Sequence, residues 1–122
     1  MTGVAVWAAV MLIGGLGSVA RYMVDREVAR RAARSFPYGT LTVNITGAVL
    51  LGLIVGLALS HQAALLAGTA FVGAYTTFST WMLETQRLTE ERQAWPAVAN
   101  IVISVVLGVA AAAAGQAIAG LL

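Results

Sequence analysis

Cysteine is absent from this chain of 122 residues. No disulfide, thiolate metal ligand or thiol nucleophile is therefore available. Lysine is absent too, and the seven basic side chains are all arginine, set against five acids. The resulting net charge of +2 is small and confined to short loops and helix ends, which excludes nucleic acid as a partner class. His61 is the only histidine and has no second ligand at a metal-binding spacing. No Ser/His/Asp arrangement or paired carboxylate occurs, so the chain does not read as an enzyme.

Charge of either sign is scarce at 10%, while hydrophobic residues reach 60%. That balance lies far from an ordinary soluble domain. Residues 1–20, 35–83 and 93–122 hold no Asp, Glu, Lys or Arg at all. A bilayer core about 30 Å thick needs about 20 helical residues to cross it. The first and last stretches each supply one such helix and the middle stretch supplies two. The expectation is an all-α membrane protein of one domain, 1–122, with four transmembrane helices near residues 4–23, 38–59, 63–86 and 96–121. The first apolar run has no basic region before it and is too long and glycine-rich for a cleavable signal.

Trp7 and Tyr22 bracket the first helix as interfacial anchors. Residues 25–34 alternate charge with Val and Ala and read as a helical extension along the membrane surface. Pro37 opens the second helix, where its missing N–H is harmless. Ser60, His61 and Gln62 form the polar turn to the third, and Trp95-Pro96 opens the fourth. Gly73, Tyr75, Thr76 and Thr77 are poor helix formers in sequence, and they predict a break between Gly73 and Thr77. Carbonyls freed there need a partner, water or a cation.

Several patterns carry little information. Gly15-Leu-Gly17-Ser-Val-Ala20 matches a dinucleotide fingerprint, but no strand precedes it and Asp25 is too near to serve a ribose. Gly52 and Gly56 form a GxxxG pair that fits helix packing. A second-helix stripe (Thr40, Asn44, Ala48, Gly52, Gly56) and a fourth-helix stripe (Asn100, Ser104, Gly108) recur every four residues. Asn44 and Asn100 stand out in them, because an amide has several donor and acceptor sites to satisfy. The hydroxyl run Thr76-Thr77-Phe78-Ser79-Thr80 before Trp81 stands out for the same reason, since polar groups at membrane depth face other helices or a water-filled path. Arg21 and Glu84 sit at membrane boundaries. Arg21 reads either as a snorkelling side chain or as part of an anion-attracting vestibule, and Glu84 either as interfacial or as a pore-mouth group.

Three blocks then point to a family. Gly14-Gly15-x-Gly17-x-x-x-Arg21-Tyr22, Gly39-Thr40-Leu41-x-Val43-Asn44-x-x-Gly47 and Gly73-x-x-Thr76-Thr77-Phe78-Ser79-Thr80-x-x-x-Glu84 closely resemble the Fluc-type fluoride channels, also called CrcB proteins. The resemblance covers nearly the whole chain. It implies an antiparallel, dual-topology dimer with two narrow pores and a structural sodium ion at its centre, held by backbone carbonyls at Gly73 and Thr76. It implies fluoride-facing aromatics at Phe78 and Trp81, a pore-facing amide at Asn44, and a polar track of Ser79, Thr80 and Ser104; Arg21, read as the anion-attracting vestibule, joins this pathway. Trp81 stands where most of the family carries Phe, and Asn100 where it often carries Tyr. Restoring Phe at 81 is expected to give equal or faster flux.

The implied function is passive, fluoride-selective export across the plasma membrane, the chain embedded in lipid and bound to no nucleic acid. A small dual-topology proton-coupled exporter is the alternative, but such transporters need an acid deep in the membrane and residues 1–20 offer none. A structural subunit of a larger membrane complex leaves the polar stripes without a purpose. All seven Arg fall on the side of the first and third loops, which predicts that side as cytoplasmic. An antiparallel pairing of such a chain is either a homodimer inserted both ways or a heterodimer with a related, oppositely biased subunit, and the homodimer is the expectation.

Overall fold

The computed structural model describes residues 2–122, and among these there is no strand. Helix α1 spans Gly3–Ala32, α2 spans Tyr38–Gly56 and α5 spans Ala94–Gly120. Between them the third apolar segment forms two arms. The first arm, α3, covers residues 61–75: one α-turn (His61–Ala64), a π-helical stretch (Leu65–Val72) and a final turn (Gly73–Tyr75). The second, α4, spans Ser79–Glu90. Three helices (α1, α2 and α5) are long and apolar enough to cross a membrane. Neither arm of the interrupted segment alone has the roughly 20 residues that a crossing needs.

Local chemistry sets the boundaries. The Thr2 hydroxyl accepts from the Ala5 N–H at 3.3 Å and starts α1. Of residues 25–34, expected as a helical extension, α1 takes in those up to Ala32 without a break. No Gly or Pro interrupts that stretch, and Glu27 pairs with Arg30 at 2.6 Å and Arg31 at 2.7 Å, one turn on. Ala33 then turns left-handed at φ 43° and ends the helix. At about 1.5 Å per residue, α1 is about 45 Å long and outreaches the hydrocarbon core. Helix α2 ends at Gly56, short of the expected residue 59, because Ala58 is left-handed at φ 51°. Ser60 caps α3 by accepting from the Ala63 N–H at 3.2 Å.

Small residues decide the packing. Helix α2 lies along α5 so closely that a Cβ on Gly52 would collide with the Ala112 carbonyl, and one on Gly115 with the Val49 carbonyl. This is backbone against backbone, which only glycine permits. Gly17 of α1 meets the Phe71 carbonyl of α3 in the same way. The first and third loops meet at one end, where the Ser35 hydroxyl donates to the Gln93 side-chain carbonyl at 3.0 Å and Arg87 donates to the Ser35 carbonyl at 2.6 Å. Few side chains are wholly enclosed; Leu88, Val43 and Asn100 are the largest. Met11 (76% exposed) and Val109 (68%) show how apolar the outer face is. Such a surface needs lipid or a second chain against it.

Gly52→Val should therefore force α2 off α5 and cost about 3 kcal/mol, the upper end of overpacking penalties, since main chain cannot yield. Gly108→Ala, with nothing within 4 Å of the added carbon, should be neutral or stabilising by up to about 1 kcal/mol. Thermal unfolding of both variants in detergent checks the pair; equal melting would refute the glycine-set contact.

Candidate functional site

The break between α3 and α4 is held by a side chain from another helix. Thr76 is extended (φ −81°, ψ 162°), while its hydroxyl donates to the Val72 carbonyl at 3.0 Å. One residue on, the Thr77 N–H donates to Asn44 Oδ1 at 2.8 Å, and Asn44 Nδ2 donates to the Thr77 carbonyl at 2.9 Å. In a continuous helix that N–H would pair with the Gly73 carbonyl. Its diversion to Asn44 releases Gly73 from the ladder. The Thr77 hydroxyl then accepts from the Thr80 N–H at 3.1 Å, which starts α4. Glycine at 47 makes this possible, because a Cβ there would strike the Thr76 methyl group.

A cavity of about 300 Å³ opens at the break. Asn44, Thr76, Thr77, Phe78, Trp81 and Ser104 line it, with Gly47, Ala48 and Gly108 among the small residues that give it room. Phe78 and Trp81 meet edge to face, centroids 5.7 Å apart and planes at 84°. Perpendicular rings set a positive edge against a negative face, an arrangement worth about 1 kcal/mol. The indole N–H is spent inside the protein, donating to the Asn100 carbonyl at 3.0 Å. Asn100 answers from α5: its Nδ2 donates to Thr85 Oγ1 at 2.9 Å and approaches the Trp81 carbonyl at 3.4 Å. Each side chain thus grips the other residue's main chain, and α4 is clamped to α5.

Asn44, Phe78, Trp81 and Ser104, chosen from the sequence, come together in this one cavity. Ser79, Thr80 and Arg21 are not among its lining. The Ser79 hydroxyl lies 3.5 Å from that of Thr77 at the exposed start of α4. Arg21 is on α1, its Nε buried without a partner. Gly73 and Thr76 both line a second, apolar cavity of about 290 Å³ between α2 and α3. The acidic side chains and His61 form no group that could hold a metal among the described residues; main-chain oxygens are the donor class on offer at the break. Tyr75, read only as a poor helix former, and Thr85 were not foreseen as polar partners at the site. Tyr75 is buried against the break, its hydroxyl 2.8 Å from that of Thr46 and its ring stacked on Phe71 at 6.0 Å. The one available hint to Thr85 was its place one turn beyond Trp81.

A family model described as "CrcB-like protein, Camphor Resistance (CrcB)" matches residues 8–116. The chain belongs to the CrcB family. The matched span runs from α1 to near the end of α5, so every residue of both cavities falls within the CrcB region. Among curated CrcB relatives, "Fluoride-specific ion channel FluC 2" of Mycobacterium bovis is 75% identical over 116 residues, covering 95% of this chain and 92% of its own length. The protein of the same name from Mycolicibacterium paratuberculosis is 72% identical over 121 residues, 99% of each chain. "Fluoride-specific ion channel FluC 1" of Nocardia farcinica is 44% identical over 110 residues, covering 89% of this chain and 78% of its own.

The amide of Asn44 was expected to face the ion path; in this CrcB chain both its polar ends are engaged by Thr77. Asn44→Val strands a main-chain donor and acceptor together and should cost about 3 kcal/mol. Thermal melting in detergent, with hydrogen exchange at Thr77, is the check. A variant that melts with the parent and keeps Thr77 protected would show that the break holds without the amide.

Proposed function

We propose that this chain is a passive, fluoride-selective channel of the plasma membrane that lets fluoride leave the cell. The observation that carries the reading is the cavity at the break, where neutral hydroxyl and amide groups stand beside a perpendicular Phe78–Trp81 pair. The names of its CrcB relatives support it. Fluoride is small and strongly hydrated, so a pathway must replace the hydrogen bonds of the water it sheds. A neutral hydroxyl donor such as Ser104 does so without trapping the ion as a fixed cation would. Aromatic ring edges add a weak positive field from groups that cannot bind too tightly.

The finer assembly belongs to the same proposal. Four crossings of the membrane arise when α3 and α4 together act as one interrupted span. The exposed apolar faces of α1, α2 and α5 then leave ample surface for a second chain, placed antiparallel as the resemblance implies. A homodimer needs no other gene product; a heterodimer with a related subunit suits the one-sided arginines. A monovalent cation, sodium, fits the break: Gly73 loses its helical partner there and shares a cavity with Thr76. Their carbonyls would hold the ion, which when bound supplies a positive charge that offsets the freed dipoles. The track of Ser79 and Thr80 at the start of α4 and Arg21 within α1 are the approaches to the cavity.

Liposomes reconstituted with this chain alone should release fluoride and retain chloride; equal passage of both ions, or of neither, would refute the channel. Phe78→Ile keeps bulk and loses the ring edge. It should slow fluoride about tenfold, the equivalent of about 1.4 kcal/mol, while leaving the oligomer intact. Exchanging sodium for a bulky organic cation should lower the dimer fraction on sizing in detergent and slow the flux. Indifference of both readouts would remove the cation site.

A further inference from the structure

Two enclosed polar atoms on α5 have no partner within the protein. Asn100 is fully enclosed and its Oδ1 accepts nothing; Ser104, 9% exposed, has an unpaired hydroxyl oxygen. The orientation of the Asn100 amide follows from its neighbours. The only proton of the Thr85 hydroxyl goes to the Trp81 carbonyl at 2.9 Å. Thr85 Oγ1 can then only accept, so the Asn100 atom 2.9 Å from it is the amide nitrogen. The oxygen is left facing away from the clamp, and it requires a donor.

The two orphans are one turn apart on α5. Side chains at i and i+4 share a helix face. One bridging molecule with two hydrogen bonds would meet both needs. Leaving both unpaired in an enclosed site would cost about 1–3 kcal/mol each, and a buried water is the common remedy where polar partners converge.

We propose that Asn100 is a positioning residue that acts on the ion path through a resident water. The water donates one proton to Asn100 Oδ1 and the other to the Ser104 oxygen. Ser104, its acceptor side filled, turns its own proton into the cavity it shares with Phe78 and Trp81. A hydroxyl that can either donate or accept is thereby made a donor, the polarity an anion needs. The inference rests on the channel reading for its purpose, though not for its geometry.

Fluoride efflux from liposomes carrying the full chain is compared for the parent, Asn100→Leu, Ser104→Ala and the double variant. With the water in place, Asn100→Leu slows fluoride about tenfold when Ser104 is present and less than about twofold when residue 104 is alanine. An equally large effect in both backgrounds overturns the proposal, because the amide then acts through the clamp alone. No effect in either overturns it as well. A high-resolution structure of the parent supplies a readout that needs neither variant folding nor flux. Water density within hydrogen-bonding distance of both atoms is expected, and a dry gap or a direct Asn100–Ser104 bond overturns the bridge. Failure of the parent to conduct fluoride would count against the channel reading while this structural arm still judged the water.

Discussion

Two hydrogen bonds between one amide and one peptide unit hold the rest of the site in place. Asn44 takes the Thr77 N–H and returns a donor to the Thr77 carbonyl, matching a peptide group as a strand neighbour would. A helix interrupted in an apolar medium leaves orphan donors and acceptors, each costing several kcal/mol if unmet. The amide meets the pair that most needs it, and the chain can then stay extended at Thr76 without water. Opening the helix frees Gly73, lets Thr77 start α4, and swings Phe78 to the cavity. Each of these consequences depends on α2 arriving within reach.

That arrival is a matter of side-chain size. Helices in lipid gain little from apolar burial against one another, because the lipid is equally apolar, so close approach and hydrogen bonds do the holding. Gly52 and Gly115 bring α2 and α5 into main-chain contact, and Gly47 lets the break settle on α2. On the far side, the Trp81–Asn100 grip ties α4 to α5. The arm after the break is thus restrained from both flanks. Ring positions that would otherwise drift with a loose helix end are set by groups on two neighbours.

Polarity in this protein is spent sparingly, and most of it is committed. The indole N–H of Trp81, both ends of Asn44 and the hydroxyls of Thr76, Thr77 and Thr85 all have partners in the chain. Ser104 is the cavity residue whose buried hydroxyl remains free. The distinction bears on how a neutral site serves an anion: committed groups shape the path, and uncommitted donors act on what passes.

Membrane residence, the all-helical class, the family and the presence of a break were legible in the residues alone. Charge-free runs and helix-breaking residues act locally, and their consequence is the same whatever packs nearby. The helical extension after Met23 was legible too, since nothing in its alternating charges stops a helix. Which residue turns extended, and to whom each polar group is bonded, only the tertiary structure decided. Thr76 rather than Gly73 leaves the helix because Asn44, more than thirty positions away, competes for the next N–H. Trp81 points its N–H at α5 because Asn100 lies there. A hydrogen-bond donor in a sequence announces that it needs a partner; the choice among partners is made by distance, and distance exists only once the helices have packed.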